Sequence, residues 1–468
     1  MQNYDYMIIG NNLGSLAFAD TLLSGSDTTI ALIDDGENAN QHRHPLPRVI
    51  SRGLRDDSLG IASFTLNDWR ATHCQPEEIP YDRNTDIESY CAHVLHEKML
   101  PTGRVHIFED TEHLGDGRIR SRESGTIEEW VVVGQRIVDA RRFPVSFHKP
   151  FIPNFSVAPG LTIIRPVSFD AMLNLNTSGF DTFCVLGGGR AGTEMVLILL
   201  DLGVPHEKIR WVKSRDPWML ALTGKFEPTP GAHYQIPLFQ EIMKAMAYAS
   251  NPDDLCLRLE DLKIIVRTSA DQVPTYFVPH LITHQDARRL QAVKHVIRKG
   301  HVHAVSEIGM VLSRGAVPMP DRSLYLDCTG PGRSGIKTGP VFRNNHITLA
   351  EIRLCDPSFS AAMIAAIELL DLSAEEKNKL CVPVRGDRAA ELFLSSLLNQ
   401  HAWFHDPDLR AWLEHCRLDR WLQSTAKRLN QTREIPPDLS AMRAILPRAI
   451  INLESMIQTD DTPIKQQL

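Results

Sequence analysis

The chain has 468 residues, 43% hydrophobic and 23% charged, with 50 Lys and Arg against 57 Asp and Glu for a formal net charge of −7. A chain of this length holds about two or three domains and can stand without disulfides or metal, which sets aside small secreted scaffolds, collagen-like chains and disordered hubs. Mild acidity, with a pI near 6.3, argues against a nucleic-acid partner but leaves room for a local basic pocket.

Tyr4 to Ile9 reads as a buried strand. It runs into Gly-Asn-Asn-Leu-Gly-Ser at 10–15, an apolar helix from Leu16, and a second strand from Thr28 ending at Asp34 and Asp35. Strand, turn, helix and strand in that order open a dinucleotide-binding fold. No basic stretch precedes an apolar core, and no apolar run approaches about 18 residues, so neither a signal peptide nor a membrane span is expected. Residues 36–75 are rich in His, Arg, Pro and Asp and read as a long crossover, the kind of loop that lies over a ligand. Residues 86–98 are predicted helical. The stretches 104–110, 117–124 and 128–142 are predicted as strands joined by tight turns, an antiparallel piece beside or inside the first domain.

A second strand, turn, helix and strand begins near Phe180, with strands at 181–187 and 208–214 around a helix at 193–203. Helices are predicted at 238–250 and 284–297, strands at 302–312 and 324–329, and an apolar helix at 359–370. From 374 the chain reads as amphipathic helices carrying Trp403, Trp412 and Trp421, fraying over the last ten residues or so. The expected domains are 1–160, 161–320, a return segment at 321–373, and a helical region at 374–468.

The second turn is a complete G-x-G-x-x-G made by Gly187, Gly189 and Gly192. The first glycine permits the tight turn, the second lets the backbone approach a diphosphate, and the third lets helix and strand pack closely. A glycine turn kept only for packing is the competing reading. The following strand ends 26 residues past Gly187 in Lys213, Ser214 and Arg215, where an NAD site carries an acidic residue. Two cations and a hydroxyl suit an extra 2′-phosphate and favour NADPH over NADH; the alternative is a solvated surface pair. The first turn keeps Gly10 but has Asn12 and Ser15 at the other two glycine positions, with Gly14 one position early. Asp34, 24 residues after Gly10, is placed to accept hydrogen bonds from a ribose.

Eight cysteines (Cys74, Cys91, Cys184, Cys256, Cys328, Cys355, Cys381 and Cys416) form no CxxC or CxxxxC pair. They read as buried thiols in a reducing, cytoplasmic compartment and argue against dithiol chemistry. No metal site is expected: His42 and His44 lack carboxylates at ligand spacing, and His280 and His284, after the helix start suggested by Pro279, lack a third ligand. Trp218 fits the core or a cofactor stack, and Arg190 lies within the second turn.

The stretches GNNLGS (10–15), RIVDAR (136–141), LGGGRAGTE (186–194), KIRWVKSRDPWML (208–220), LDCTGPG (326–332) and FSAAMIAAIE (359–368) carry a resemblance. Together they resemble the flavin-dependent monooxygenase-like oxidoreductases, two-dinucleotide-domain proteins that use NAD(P) and FAD. The resemblance implies an α/β fold of two Rossmann-like domains, an FAD domain interrupted by an NADPH domain, with a helical C-terminal extension. It implies FAD on Gly10, Asn12, Gly14 and Ser15, with its ribose on Asp34, and NADPH on Gly187, Gly189, Arg190 and Gly192. Asp139-Ala140 and Cys328-Thr329-Gly330 match the family's domain joins and are expected near FAD. Three features depart from the family: the lost glycines of the first turn, GENANQHRHPLPR at 36–48 in place of a Gly-Gly-x-Trp stretch, and FHKPFIP at 147–153 where F-x-G-x-x-x-H is absent.

In such proteins NADPH gives hydride to flavin N5, and the reduced flavin forms a C4a-(hydro)peroxide that oxygenates nitrogen, sulfur or a carbonyl. A small-molecule monooxygenase-like reaction is the leading expectation. An NADPH-dependent flavin reductase or dehydrogenase without oxygenation, and a non-catalytic nucleotide-binding scaffold or regulator, stay open beside it. No side chain is assigned a catalytic role. The apolar face of the tail fits either a cap over the active site or a homodimer contact.

Overall fold

A computed structural model describes residues 3–34, 58–73, 83–115, 118–121, 136–141, 153–161, 163–164, 179–222, 235–330, 339–432 and 434–460. Two mostly parallel sheets organise them. In the first, the strands run in the order Phe342–Arg343, His346–Thr348, Arg136–Asp139, Tyr6–Ile9, Ile30–Ile33, Val105–Phe108, and only the Phe342–Arg343 edge is antiparallel. In the second, the order is Ile163–Ile164, Ser323–Asp327, Thr182–Leu186, Ile209–Val212, His295–Ile297, all parallel. Around each glycine turn the same pattern recurs: the turn-bearing strand lies between the next strand in sequence and one that arrives much later.

Two interior strands of the first sheet, Tyr-Met-Ile-Ile and Ile-Ala-Leu-Ile, are buried at every residue. They do not alternate because both faces are covered, as parallel sheets require. One face packs on the helices Leu13–Gly25 and Pro357–Glu368 through Leu16, Phe18, Leu22, Phe359 and Ile364. The other buries Met7, Ile9, Ala31 and Ile33 against Ile119 of the hairpin Thr111–Gly115/Arg118–Ser121.

Several expectations change. Val105–Phe108 and Arg136–Asp139 are parallel members of the first sheet, and within 104–142 only the 111–121 hairpin pairs antiparallel among the described residues. Four-residue strands carry no mark of their partners' direction. The helix expected over 284–297 stops at Gln291, and His295–Ile297 becomes the edge strand of the second sheet. Pro279 starts no helix. It lies with His280 inside the strand Tyr276–Thr283, where the pairing jumps from Met219↔Val278 to Leu220↔Leu281. A proline has no ladder N–H to give, so it fits at such an irregularity. Residues 323–327 pair with Thr182–Leu186 in the second sheet, and Phe342–Arg343 lies at the edge of the first.

The C-terminal helices are built into the rest of the chain. Trp403 is fully buried and its Nε1 donates to Leu380 O at 2.7 Å. Trp421 stacks on Phe239 with centroids 4.3 Å apart, and Trp412 packs on Phe359. The helix Pro437–Asp460 packs along Gln235–Tyr248, where Asn452 Nδ2 donates to Met246 O at 2.8 Å and Ala249 O at 2.9 Å. The tryptophan face that fitted a cap or a homodimer contact is therefore largely covered by the chain's own core.

Candidate functional site: two glycine turns at the strand ends

Ligands of open α/β sheets bind beyond the carboxyl ends of the strands. Both glycine turns stand there. The first strand ends at Gly10, with φ +103°, where a Cβ would lie 3.2 Å from Arg141 N and 3.3 Å from Ala140 C. Glycine lets the Arg136–Asp139 strand end close against the turn.

Asn12 is the N-cap of the Leu13–Gly25 helix. Its Oδ1 accepts from Ser15 N at 3.0 Å, the Ser15 hydroxyl accepts from Asn12 N at 2.8 Å, and Asn12 Nδ2 donates to Ala140 O at 2.9 Å. The residues that replaced two glycines thus form a capping box. At this helix start the amides of Leu13 and Gly14 have no partner among the described residues. Asp34 is buried at the neighbouring strand end, and its Oδ2 accepts from Asn11 Nδ2 at 3.0 Å. Gly10, Asn12, Gly14, Ser15 and Asp34 lie together at this turn, with Asn11, which the sequence reading missed, bonded to Asp34.

The second turn is built differently. Gly187 has φ +126°, and a Cβ there would come 2.6 Å from Cys328 O. A Cβ on Gly192 would come 1.9 Å from Gly187 O, the close helix-to-turn packing expected of the third glycine. Trp211 Nε1 fixes the same carbonyl at 2.8 Å. Gly189, the N-cap of the helix Arg190–Asp201, is the exception: a Cβ on it would meet nothing within 4 Å. No side chain caps this helix, and the amides of Arg190, Ala191 and Gly192 have no partner among the described residues. Three open N–H groups at a helix start, beside empty space at a glycine, form an anion cradle.

The strand end that follows lies against this turn: a Cβ on Gly188 would stand 3.0 Å from Arg215 O and 3.2 Å from Lys213 Cβ. Its three predicted residues do not act alike. Arg215 faces solvent, bonded to Asp387 at 3.1 Å and lying over the Tyr276 ring at 4.3 Å. Ser214 is half-buried beside it. Lys213 turns inward and is fully buried. Its ammonium donates to Asp216 Oδ1 at 3.1 Å, Thr268 Oγ1 at 2.9 Å and Ser269 Oγ at 3.0 Å, and sits 3.6 Å from the Trp211 ring centroid. With all three protons engaged, Lys213 has none for a phosphate. Burial lowers it to about 8, which leaves it cationic at neutral pH. Burial also works against the Asp216 carboxylate, yet the hydrogen bond from Arg298 and the Lys213 charge prevail and hold it near about 2.

Glu194 was not singled out in the sequence. It sits one helical turn past Arg190, with Oε1 3.4 Å from Arg190 Nε and 3.4 Å from His280 Nε2. Burial raises its carboxyl to about 7 against the pull of Arg190. Burial, with the Arg190 charge, holds buried His280 well below the usual histidine range. The i, i+4 spacing of Arg190 and Glu194 was the available signal; His280 joins them only through the irregular strand. Trp218 is core, 2% exposed. Asp139-Ala140 lies at Gly10, and Cys328 packs on Gly187, at the other turn. His42, His44, residues 36–48 and most of 147–153 lie outside the described residues. No described helix is long and apolar enough to cross a membrane.

No protein-family model matches the chain. Among solved structures it is similar to a polycyclic ketone monooxygenase from Thermothelomyces thermophila, with 11% identity, a TM-score of 0.46, and coverage of 96% of this chain and 88% of that one. A flavin monooxygenase from Stenotrophomonas maltophilia gives 14%, 0.44, 80% and 100%. The flavoprotein disulfide reductase RclA of Escherichia coli gives 13%, 0.41, 79% and 71%. In sequence, the uncharacterized proteins Rv2000 of Mycobacterium tuberculosis and Mb2023 of Mycobacterium bovis are each 31% identical over 432 residues, which is 89% of this chain and 77% of theirs. The chain belongs to the family of these mycobacterial proteins.

Proposed function

We propose that the chain is an FAD- and NADPH-dependent oxidoreductase, monooxygenase-like, acting on a small molecule. The observation that carries this reading is the second turn, with three open amides, an unfilled space at Gly189 and an exposed Arg215 beside it. The repeated strand order supports a second nucleotide on the first turn. The NADPH diphosphate would lie on Arg190, Ala191 and Gly192 N–H, with its 2′-phosphate toward Ser214 and Arg215. The FAD diphosphate would lie on the Leu13 and Gly14 amides, with its ribose on Asp34. When bound, the two cofactors supply hydride transfer; the chain holds, orients and shields them. Cys91, Cys184, Cys256, Cys381 and Cys416 are all raised by burial, away from the thiolate that dithiol exchange needs, which counts against disulfide reduction at these five residues.

The test is the visible spectrum of the purified or FAD-reconstituted protein. The expected result is a flavin band at about 450 nm that bleaches anaerobically with NADPH and much less with NADH, with an oxygen-dependent transient when air is admitted. Bleaching without that transient reduces the activity to NADPH-dependent flavin reduction. One observation favours a second reading: the capping box takes a helix-start amide that a diphosphate would use. On that reading the chain binds a single dinucleotide as a regulator, and it predicts adenine-nucleotide binding by a protein that takes up no FAD.

A further inference from the structure

We propose that Arg298 is a nucleotide-binding and specificity-determining residue of the second site, meeting the 2′-phosphate of NADPH together with Arg215. This rests on the dinucleotide reading above. Arg298 follows the edge strand His295–Ile297, whose last residue accepts from Lys213 N at 3.0 Å, so the two strand ends lie side by side. The glycine turn sits against the same place through Gly188. Lys213, the cation at the strand's own end, is buried and fully bonded. The network that buries Lys213 also fixes Arg298. Arg298 Nε donates to Asp216 Oδ2 at 2.6 Å and its Nη2 donates to Ser269 Oγ at 2.9 Å. Asp271 lies 3.6 Å from the same Nη2.

Nη1 makes no bond among the described residues. A guanidinium clamped along one edge and open at the other is pre-organised to accept a phosphate, because its side-chain entropy is already lost. Its surroundings favour an anion. Lys299 is its chain neighbour, and Arg314 donates to Arg298 O at 2.5 Å. With Lys213 and Arg215, these cations outnumber the carboxylates of Asp216, Asp271 and Asp387 that stand among them. Arg298 was hidden in the sequence because the stretch just before it, 284–297, read as helix.

The experiment is calorimetric titration of the full chain with adenosine 2′,5′-bisphosphate and with adenosine 5′-monophosphate. The wild type should prefer the bisphosphate. Arg298→Gln should weaken the bisphosphate by about tenfold or more and leave the monophosphate within about twofold, as expected for loss of a charge-assisted contact to one phosphate. Arg298→Lys, which keeps the charge on a different geometry, should fall between and serves if the glutamine variant does not fold. A selective wild type with unchanged selectivity in both variants overturns the assignment while leaving the dinucleotide reading intact. Equal weakening of both ligands also overturns it and makes Arg298 only a support for Asp216. A wild type that binds neither ligand overturns the dinucleotide reading and this assignment with it.

Discussion

The two turns solve the same geometric problem with opposite chemistry. Each ends a buried parallel strand in a glycine of positive φ, Gly10 or Gly187, because a later strand closes against it. Past that glycine they diverge. The first helix start is capped by its own Asn12 and Ser15; the second is capped by no side chain among the described residues and leaves one more amide open. A self-capped helix gains stability without a ligand, whereas an uncapped one leaves its N–H groups to a ligand or water. The first turn is therefore the more robust element without cofactor, and the second leaves more of its helix start open to an anion.

The largest test of this contrast is Gly192→Ala. The new methyl would lie 1.9 Å from Gly187 O, a backbone atom that cannot swing aside. We expect a loss of about 3 kcal/mol or more in denaturant unfolding and loss of dinucleotide binding. Gly189→Ala is its partner. With nothing within 4 Å of the added carbon, it should leave stability within about 1 kcal/mol yet obstruct the diphosphate. Equal destabilisation by the two would erase the division between packing glycine and binding glycine.

Lys213→Met comes next. It removes a fully buried ammonium and leaves Asp216 short of one partner, which should cost about 2–4 kcal/mol in denaturant unfolding. Selectivity for the 2′-phosphate should survive in the folded fraction. A variant as stable as wild type that has lost this selectivity would return Lys213 to the binding surface.

Glu194 supplies a pH signature on the second helix alone. Its folded carboxyl is raised to about 7 from 4.5, so between those values the folded state holds more protons than the unfolded one. This group's contribution to stability therefore falls as pH rises through that window. Glu194→Gln should flatten that part of the stability profile, measured by urea unfolding across pH; an unchanged slope would mean that Glu194 titrates normally.

Asn12→Ala should have a small effect, about 1 kcal/mol, the ordinary cost of an N-cap. Asn12→Gly should restore part of the missing phosphate approach. If FAD is held at the first turn, this variant should retain it at least as tightly as wild type in equilibrium dialysis. Weaker retention would make Asn12 a direct ligand contact rather than a cap.

Both turns were legible in the sequence because glycine spacing and the flanking apolar runs are local signals. Gly10, Asp34, Gly187, Gly189 and Gly192 fall where such a motif puts them. What escaped was long-range. Val105–Phe108 and Arg136–Asp139 gave no sign of running parallel to Tyr6–Ile9 and its neighbour, because a four-residue strand is too short to show which way its partner runs. His295–Ile297 hid behind the helical stretch before it, and with it Arg298. Lys213 was read as outward because it is charged and stands at a strand end. It points inward because Thr268, Ser269 and Asp216, two of them more than fifty residues away in sequence, supply a complete set of acceptors. The tail tryptophans were ambiguous for the same reason, since amphipathic helices advertise an apolar face but not what covers it.

The most direct measurement is an anaerobic titration of FAD-reconstituted protein with NADPH, followed at the flavin band. Two nucleotides, one on each turn, predict stoichiometric bleaching by NADPH, slower or weaker bleaching by NADH, and loss of the response in Gly192→Ala. A protein that takes up no FAD, or one whose flavin band stands unchanged under excess NADPH, would contradict the account.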